Sequence, residues 1–251
     1  MTSSARQEWA EETYACLFGP RDRDAPETHP ELMAILRGVV FGDVFRTGEL
    51  DDATRELVTV TVLSVLGTGR QLGAHTHAAL NVGVPPVSLR EAVYQLAPFV
   101  GFPRTLTALV TVDDVLTARG VELPLPDQGT VGEDERYERG LEIQAPLYGT
   151  EIRDNLADLP APFDEALPRF LTEWCFGDFY TREGLTLAQR ELLVLCALTA
   201  LGDTGPQLTP HARACLEVGN SRETVLAAIV HCLPYVGFPR TLAAVRAVKG
   251  L

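Results

Sequence analysis

No two of the five cysteines are spaced as a redox or zinc motif: Cys16, Cys175, Cys196, Cys215 and Cys232 stand far apart, mostly inside apolar runs. They read as reduced core residues, which argues against a disulfide scaffold or a dithiol centre. Positive charge is scarce as well, with 21 Lys and Arg against 34 Asp and Glu, a net charge of −13. Such a field repels nucleic acid phosphates and anionic membrane surfaces, but a pocket lined by its own cations could still admit a small anionic substrate. Long apolar runs are missing too. The first residues carry Glu8, Glu11 and Glu12 where a secretion signal needs an uninterrupted apolar core, and no stretch reaches the roughly 20 apolar residues of a membrane span, so a cytoplasmic location is expected.

What the sequence does have is a repeat. Residues 55–67 read RELVTVTVLSVLG and residues 71–83 read QLGAHTHAALNVG; near the other end stand RELLVLCALTALG at 190–202 and QLTPHARACLEVG at 207–219. Each copy sets a glutamate (Glu56, Glu191) at the head of an apolar run, then a glycine turn, then Gln71 and His75, or Gln207 and His211. A second shared segment, PFVGFPRTL at 98–106 and PYVGFPRTL at 234–242, differs in one residue, and FGD recurs at 41–43 and 176–178. Two domains follow, 1–121 and 135–251, joined by a Pro-, Gly- and acid-rich linker at 122–134.

Helix signals fill both halves. A short amphipathic helix is expected over 5–18, a helix opening at Pro30, and a capped helix after Asp51 or Asp52 that runs through the apolar stretch 57–66. A helix apolar all round is a buried one, which places Glu56 at the entrance of a buried element. The next helix spans the Gln71 to His75 segment and ends near Gly83. Ser88 with Glu91 has the spacing of a capping box, and Ser221 is the corresponding cap in the second half. Pro98, Pro103, Pro234 and Pro239 are expected to kink or break their helices. No strand signal appears, so the architecture is all-α. Asp43 reads as a cap or surface pair, Arg104 and Arg240 as caps on helix carbonyls or surface pairs, His29 as exposed, His77 as structural or peripheral, and His231 as a core or interface residue.

The segments RELVTVTVLSVLG, QLGAHTHAALNVG and VGFPRTLTAL, met twice in the same order, resemble the carboxymuconolactone decarboxylase family within the alkylhydroperoxidase D-like superfamily. The resemblance spans nearly the whole chain. It implies a tandem duplication of one helical domain, the copies related by a pseudo-two-fold axis. One branch of that superfamily reduces peroxides with two cysteines, spaced Glu, eleven residues, Cys, two residues, Cys, three residues, His. Here that frame, counted from Glu56, meets Thr68, Gln71 and His75, and the longer second loop presents Thr204 and Gln207. Neither thiol position carries sulfur, so thiol peroxidase activity is not expected.

The decarboxylase branch implies loss of CO₂ from a lactone or β-keto-type acid with no metal and no organic cofactor. His75 would then deliver a proton to carbon, Glu56 would orient its ring or shuttle the proton, and Gln71 would donate to the enolate oxygen. Glu191, Gln207 and His211 are the second set, with Arg70 and Thr68 as candidate contacts to a substrate carboxylate. Because Pro206 and Pro210 flank Gln207, the second helix is expected to be distorted and His211 moved, leaving most activity in the first half. Two rivals stay open: isomerisation or cyclisation at the same site, and a non-catalytic ligand-binding scaffold. The family also implies a homotrimer, because a fused pair needs three chains to match a ring of six single copies.

Overall fold

A computed structural model describes residues 3–22 and 26–251. In chain order the helices of the first half are α1 (Ser3–Phe18), α2 (Pro30–Arg37), α3 (Asp52–Leu66), α4 (Gly69–Asn81), α5 (Pro86–Tyr94), α6 (Ala97–Val100) and α7 (Phe102–Ala118). The second half holds α8 (Arg136–Tyr148), α9 (Glu151–Leu156), α10 (Phe163–Phe170), α11 (Leu187–Leu201), α12 (Gly205–Glu217), α13 (Arg222–His231) and α14 (Leu233–Lys249). No strand occurs among the described residues, and none of their helices is long and apolar enough to cross a membrane. The all-α duplication expected from the repeat is the observed fold.

Helices α3 and α11 pack against each other, and α4 and α12 fold back on them as hairpins. Asp51 caps α3, its Oδ1 accepting from the Thr54 amide at 2.8 Å, while Thr186 and Gln189 form a reciprocal capping box on α11. Gly67, at φ 71°, ends α3 in the left-handed conformation that glycine adopts without steric cost. Every residue from Arg55 to Val65 and from Arg190 to Ala200 is buried. One core runs through both halves, built on Leu57, Val60, Leu63, Leu193, Leu195 and Ile229 among others. A smaller cluster under α1 joins Leu17, Phe41, Phe45 and Ala78.

The FGD segments continue α2 and α10 as π-helical turns, Gly38–Asp43 and Leu171–Tyr180. Their aspartates are surface pairs, as expected: Asp43 accepts from Arg6 and Asp178 from Arg136. In the second half the contact is backbone to backbone, since a Cβ on Gly140 would stand 2.3 Å from the Thr172 carbonyl oxygen and one on Gly177 2.4 Å from that of Arg136. Arg104 and Arg240 donate to the Val65 and Ala200 carbonyls at 2.9 and 2.6 Å, closing the ends of α3 and α11.

Two local expectations are corrected. Ser88 is not a cap: Pro86 occupies the first turn of α5, whose preset φ starts the helix earlier, and the Ser88 hydroxyl instead donates to Gly184 of the second half at 2.8 Å. Ser221 does cap α13, accepting from the Thr224 amide at 3.0 Å. The prolines of the shared VGFP segments are not the breaks either. Gly101 (φ 80°, ψ 157°) and Gly237 (φ 76°, ψ 169°) turn the chain, while Pro98 and Pro103 sit in first turns that need no amide hydrogen.

The segment between the halves is fastened down rather than loose. Arg90 donates to the Leu125 and Pro126 carbonyls at 3.0 and 2.7 Å, and the Glu183 amide donates to Gln128 at 3.0 Å. Beneath it Glu91, fully buried, accepts from Arg182 of the second half at 2.9 and 3.1 Å and from Arg90 at 3.2 Å, and Arg190 lies 3.5 Å away. Removing this carboxylate strands buried guanidinium groups between the halves. Glu91→Ala is therefore expected to cost about 3–5 kcal/mol of stability, read from urea denaturation.

Candidate functional site

Glu56 lies in the first turns of α3 and His75 midway along α4, and the hairpin brings them together. His75 Nδ1 stands 2.8 Å from Glu56 Oε2. The carboxylate is fully buried and its Oε1 has no hydrogen-bond partner, while the imidazole reaches the surface by an edge, 9% exposed. Burial raises the Glu56 pKa above the ordinary carboxylate range, against a smaller opposing effect of His75. With Nδ1 engaged, Nε2 is the nitrogen left to a ligand.

The second half repeats the pair: His211 Nδ1 stands 3.0 Å from Glu191 Oε2. The expected displacement of His211 by the prolines does not occur. Pro206 falls in the first turn of α12, where its missing amide hydrogen is no loss, and Pro210 forfeits one backbone bond without moving the next residue off its glutamate.

Aromatic rings surround both pairs, with Phe and Tyr exchanged. At the first pair Phe18 from α1 meets the His75 ring edge-on at 5.4 Å, and Tyr235 of α14, from the other half, does so at 5.8 Å. At the second, Tyr148 of α8 takes the place of Phe18 and Phe99 of α6 the place of Tyr235, 5.1 and 5.9 Å from His211. The Tyr148 hydroxyl donates to Glu191 Oε2 at 2.8 Å and lies 2.7 Å from His211 Nδ1. Burial and the Glu191 charge both raise the Tyr148 pKa, so it stays a phenol. Thus one pair is a dyad and the other a triad.

Neither Gln71 nor Gln207 hydrogen-bonds to its Glu–His pair; both lie exposed in the first turns of their helices, as does Arg70. The Thr68 and Thr204 hydroxyls are spent on backbone, donating to Leu63 and Leu198 at 3.4 and 2.7 Å. Reasoning from the sequence missed Phe18, Phe99, Tyr148 and Tyr235. The signal was present, because PFVGFPRTL and PYVGFPRTL differ at this very ring and LFG at 17–19 matches LYG at 147–149.

All five cysteines are free, and burial pushes the Cys175 and Cys215 thiols up, so neither is a ready nucleophile. Among the described residues no group of three or more His, Cys, Asp or Glu is placed to hold a metal ion. A cavity of about 670 Å³ opens between α1 and α2, lined by Arg6, Tyr14, Ile35 and Arg37, and one of about 200 Å³ lies between the α3–α4 turn and α7. Neither includes Glu56 or His75 in its lining.

The carboxymuconolactone decarboxylase family model matches residues 30–114 and again 165–250. The chain belongs to the carboxymuconolactone decarboxylase family. The 4-carboxymuconolactone decarboxylase of Acinetobacter baylyi is 28% identical over 114 residues, 45% of this chain and 84% of that protein, a relative about one repeat in size. The nitrosuccinic acid decarboxylase npaB of Metarhizium robertsii is 27% identical over 108 residues, 43% of this chain and 75% of that protein. Peroxisomal protein 2 of Schizosaccharomyces pombe is 24% identical over 187 residues, 72% of this chain and 84% of its own. The crystal structure of a putative gamma-carboxymuconolactone decarboxylase subunit from Burkholderia xenovorans superposes with a TM-score of 0.56 at 16% identity, covering 98% of this chain and 94% of that one. The two-repeat fold is therefore shared along its whole length.

The raised Glu56 pKa gives a pH signature. The folded chain retains a proton that the unfolded chain releases in the ordinary carboxylate range, so this contribution to stability is complete below that range and is lost as pH climbs to the raised value. Denaturation midpoints between about pH 4 and pH 8 are expected to fall with rising pH through that interval, and Glu56→Gln to flatten the slope.

Proposed function

We propose that the chain is a general acid–base enzyme that removes CO₂ from a carboxylated lactone or β-keto-type acid, with the Glu56–His75 dyad as its main centre and no cofactor required. The observation that carries this reading is the buried Glu56 bound to His75 Nδ1, with Nε2 free for a substrate. Family membership and relatives named as decarboxylases support the reaction class.

The chemistry follows from the pair. In a dry setting the uncharged arrangement is favoured, a protonated Glu56 donating to Nδ1 and the ring hydrogen on Nε2. The carbon–carbon bond to the carboxylate breaks, CO₂ leaves, and the electron pair moves into an electron-accepting group on the substrate, a carbonyl or the nitro group of a compound such as nitrosuccinate. His75 Nε2 then gives its hydrogen to carbon while Glu56 passes one to Nδ1; solvent reprotonates Nε2 at the exposed edge and Nδ1 returns its hydrogen to Glu56. Gln71, exposed one turn before His75, is positioned to donate to the substrate from the rim.

A second reading, a non-catalytic scaffold, is favoured by the cover of rings that leaves His75 only 9% exposed. Turnover separates the two. CO₂ release from 4-carboxymuconolactone and from nitrosuccinate is expected to fall on the order of 10²–10⁴-fold in His75→Ala, and far less in His211→Ala. Equal losses in both variants would sink the first-half assignment, and no release above His75→Ala by the unmodified chain would favour the scaffold.

The assembly we propose is a homotrimer. Phe102, Leu106 and Val110 on α7 and Phe238 and Leu242 on α14 remain 45–65% exposed, more apolar surface than a lone soluble chain needs. Light scattering is expected to give three times the mass of one chain; a monomer at micromolar concentration would contradict it.

A further inference from the structure

The exchange of Phe and Tyr between the two pairs leaves one phenol, Tyr235, bordering a Glu–His pair to which it is not hydrogen-bonded. Arg55 Nη1 can only donate, so His231 Nδ1, 3.4 Å away, accepts. Burial and the Arg55 charge hold His231 neutral, its pKa lowered to about 3, which puts its ring hydrogen on Nε2. That nitrogen lies 3.0 Å from Thr59 Oγ1 and donates to it. Thr59 in turn donates to the Tyr235 hydroxyl oxygen at 3.3 Å, a bond it shares with the Arg55 carbonyl at 3.0 Å. The Tyr235 hydroxyl is therefore held by Thr59 and, among the described residues, hydrogen-bonds to neither Glu56 nor His75.

Thr59 is one turn beyond Glu56 on α3, so the Tyr235 hydroxyl sits on the same face of that helix as the carboxylate, and its ring borders His75. The second pair offers no such donor. Tyr148 spends its hydrogen on Glu191, and Phe99 at the position of Tyr235 has none. Val194, the counterpart of Thr59, has no hydroxyl to orient one.

We propose that Tyr235, delivered by the second half, donates a hydrogen bond to the substrate oxygen on which negative charge develops at the Glu56–His75 centre. The inference rests on the decarboxylase reading for its reaction and adds a residue to it. It also favours the first half as the main centre, because only the first pair combines a free Nε2 with a neighbouring phenol that is not bonded to the pair itself. A donor held in place by Thr59 and His231 needs no reorganisation when charge appears, the property that makes such donors effective.

The test uses the full-length chain and Tyr235→Phe, a change the fold already accommodates at Phe99. With ¹⁵N-labelled histidine rings and no ligand, the His75 Nδ1 resonance is expected to stay in place in the variant. A large shift would mean that the hydroxyl is spent on the Glu–His pair, and would overturn the proposal. The second measurement is calorimetric titration with the nitronate of 3-nitropropionate, the carbanion that loss of CO₂ from nitrosuccinate leaves. Tyr235→Phe is expected to weaken nitronate binding about tenfold or more, the worth of a hydrogen bond to a charged group. Equal affinity in the two proteins, or none in the unmodified chain, overturns the proposal. On nitrosuccinate the variant should lose about 10²-fold in kcat with KM little changed. If nitronate binding depends on Tyr235 while neither nitrosuccinate nor 4-carboxymuconolactone releases CO₂, the decarboxylase reading fails and the donor assignment stands.

Discussion

The carboxylate of Glu56 is the constraint on which the first-half site depends. It is carried into the interior by a helix buried along nearly its whole length, and one of its oxygens is satisfied by His75 alone. An ionised carboxylate is costly there, so the hairpin must either supply a proton or share one, and His75 is the group that can do both. The α3–α4 turn, the Asp51 cap and the Arg104 bond to Val65 all fix the two helices that hold this contact. At 2.8 Å the two groups stand at hydrogen-bond distance, close enough to share one hydrogen.

Duplication gives the second half the same contact but not the same surroundings. Tyr148 inserts a hydroxyl between Glu191 and His211, where the first half has Phe18, and Phe99 stands where the first half receives Tyr235. Each pair takes one ring from its own half and one from the other. The halves are therefore joined chemically as well as by packing, and neither contains its complete ring set. Fusion of two copies allows this divergence, since a change in one ring of a fused chain alters one pair and leaves the other alone.

The interface between the halves is held by unlike means on its two sides. Near the second pair, Glu91 gathers Arg90, Arg182 and Arg190 in a buried ion cluster; near the first, Arg55 is satisfied by the Leu50 and Gly48 carbonyls and faces neutral His231. Arg55 and Arg190 occupy equivalent places in the repeat, so the difference lies in what the opposite half presents, His231 or Gln95. Removing one partner from a buried charge cluster of this kind costs more than the intact cluster contributes to stability.

The sequence by itself determined the duplication, the all-α class and the Glu56–His75 and Glu191–His211 pairs. A residue period reports local helix faces, and a repeated glutamate and histidine on adjacent helices of a hairpin have few ways not to meet. It also misled where a local rule competed with a neighbour. Ser88 had the spacing of a cap, but Pro86 started the helix earlier, and Pro210 read as a distortion that α12 absorbed. The ring exchange was decided only by the tertiary structure. Tyr235 lies far along the chain from His75, in another half and on another helix, and no periodicity within one element links residues that meet across a pseudo-two-fold axis.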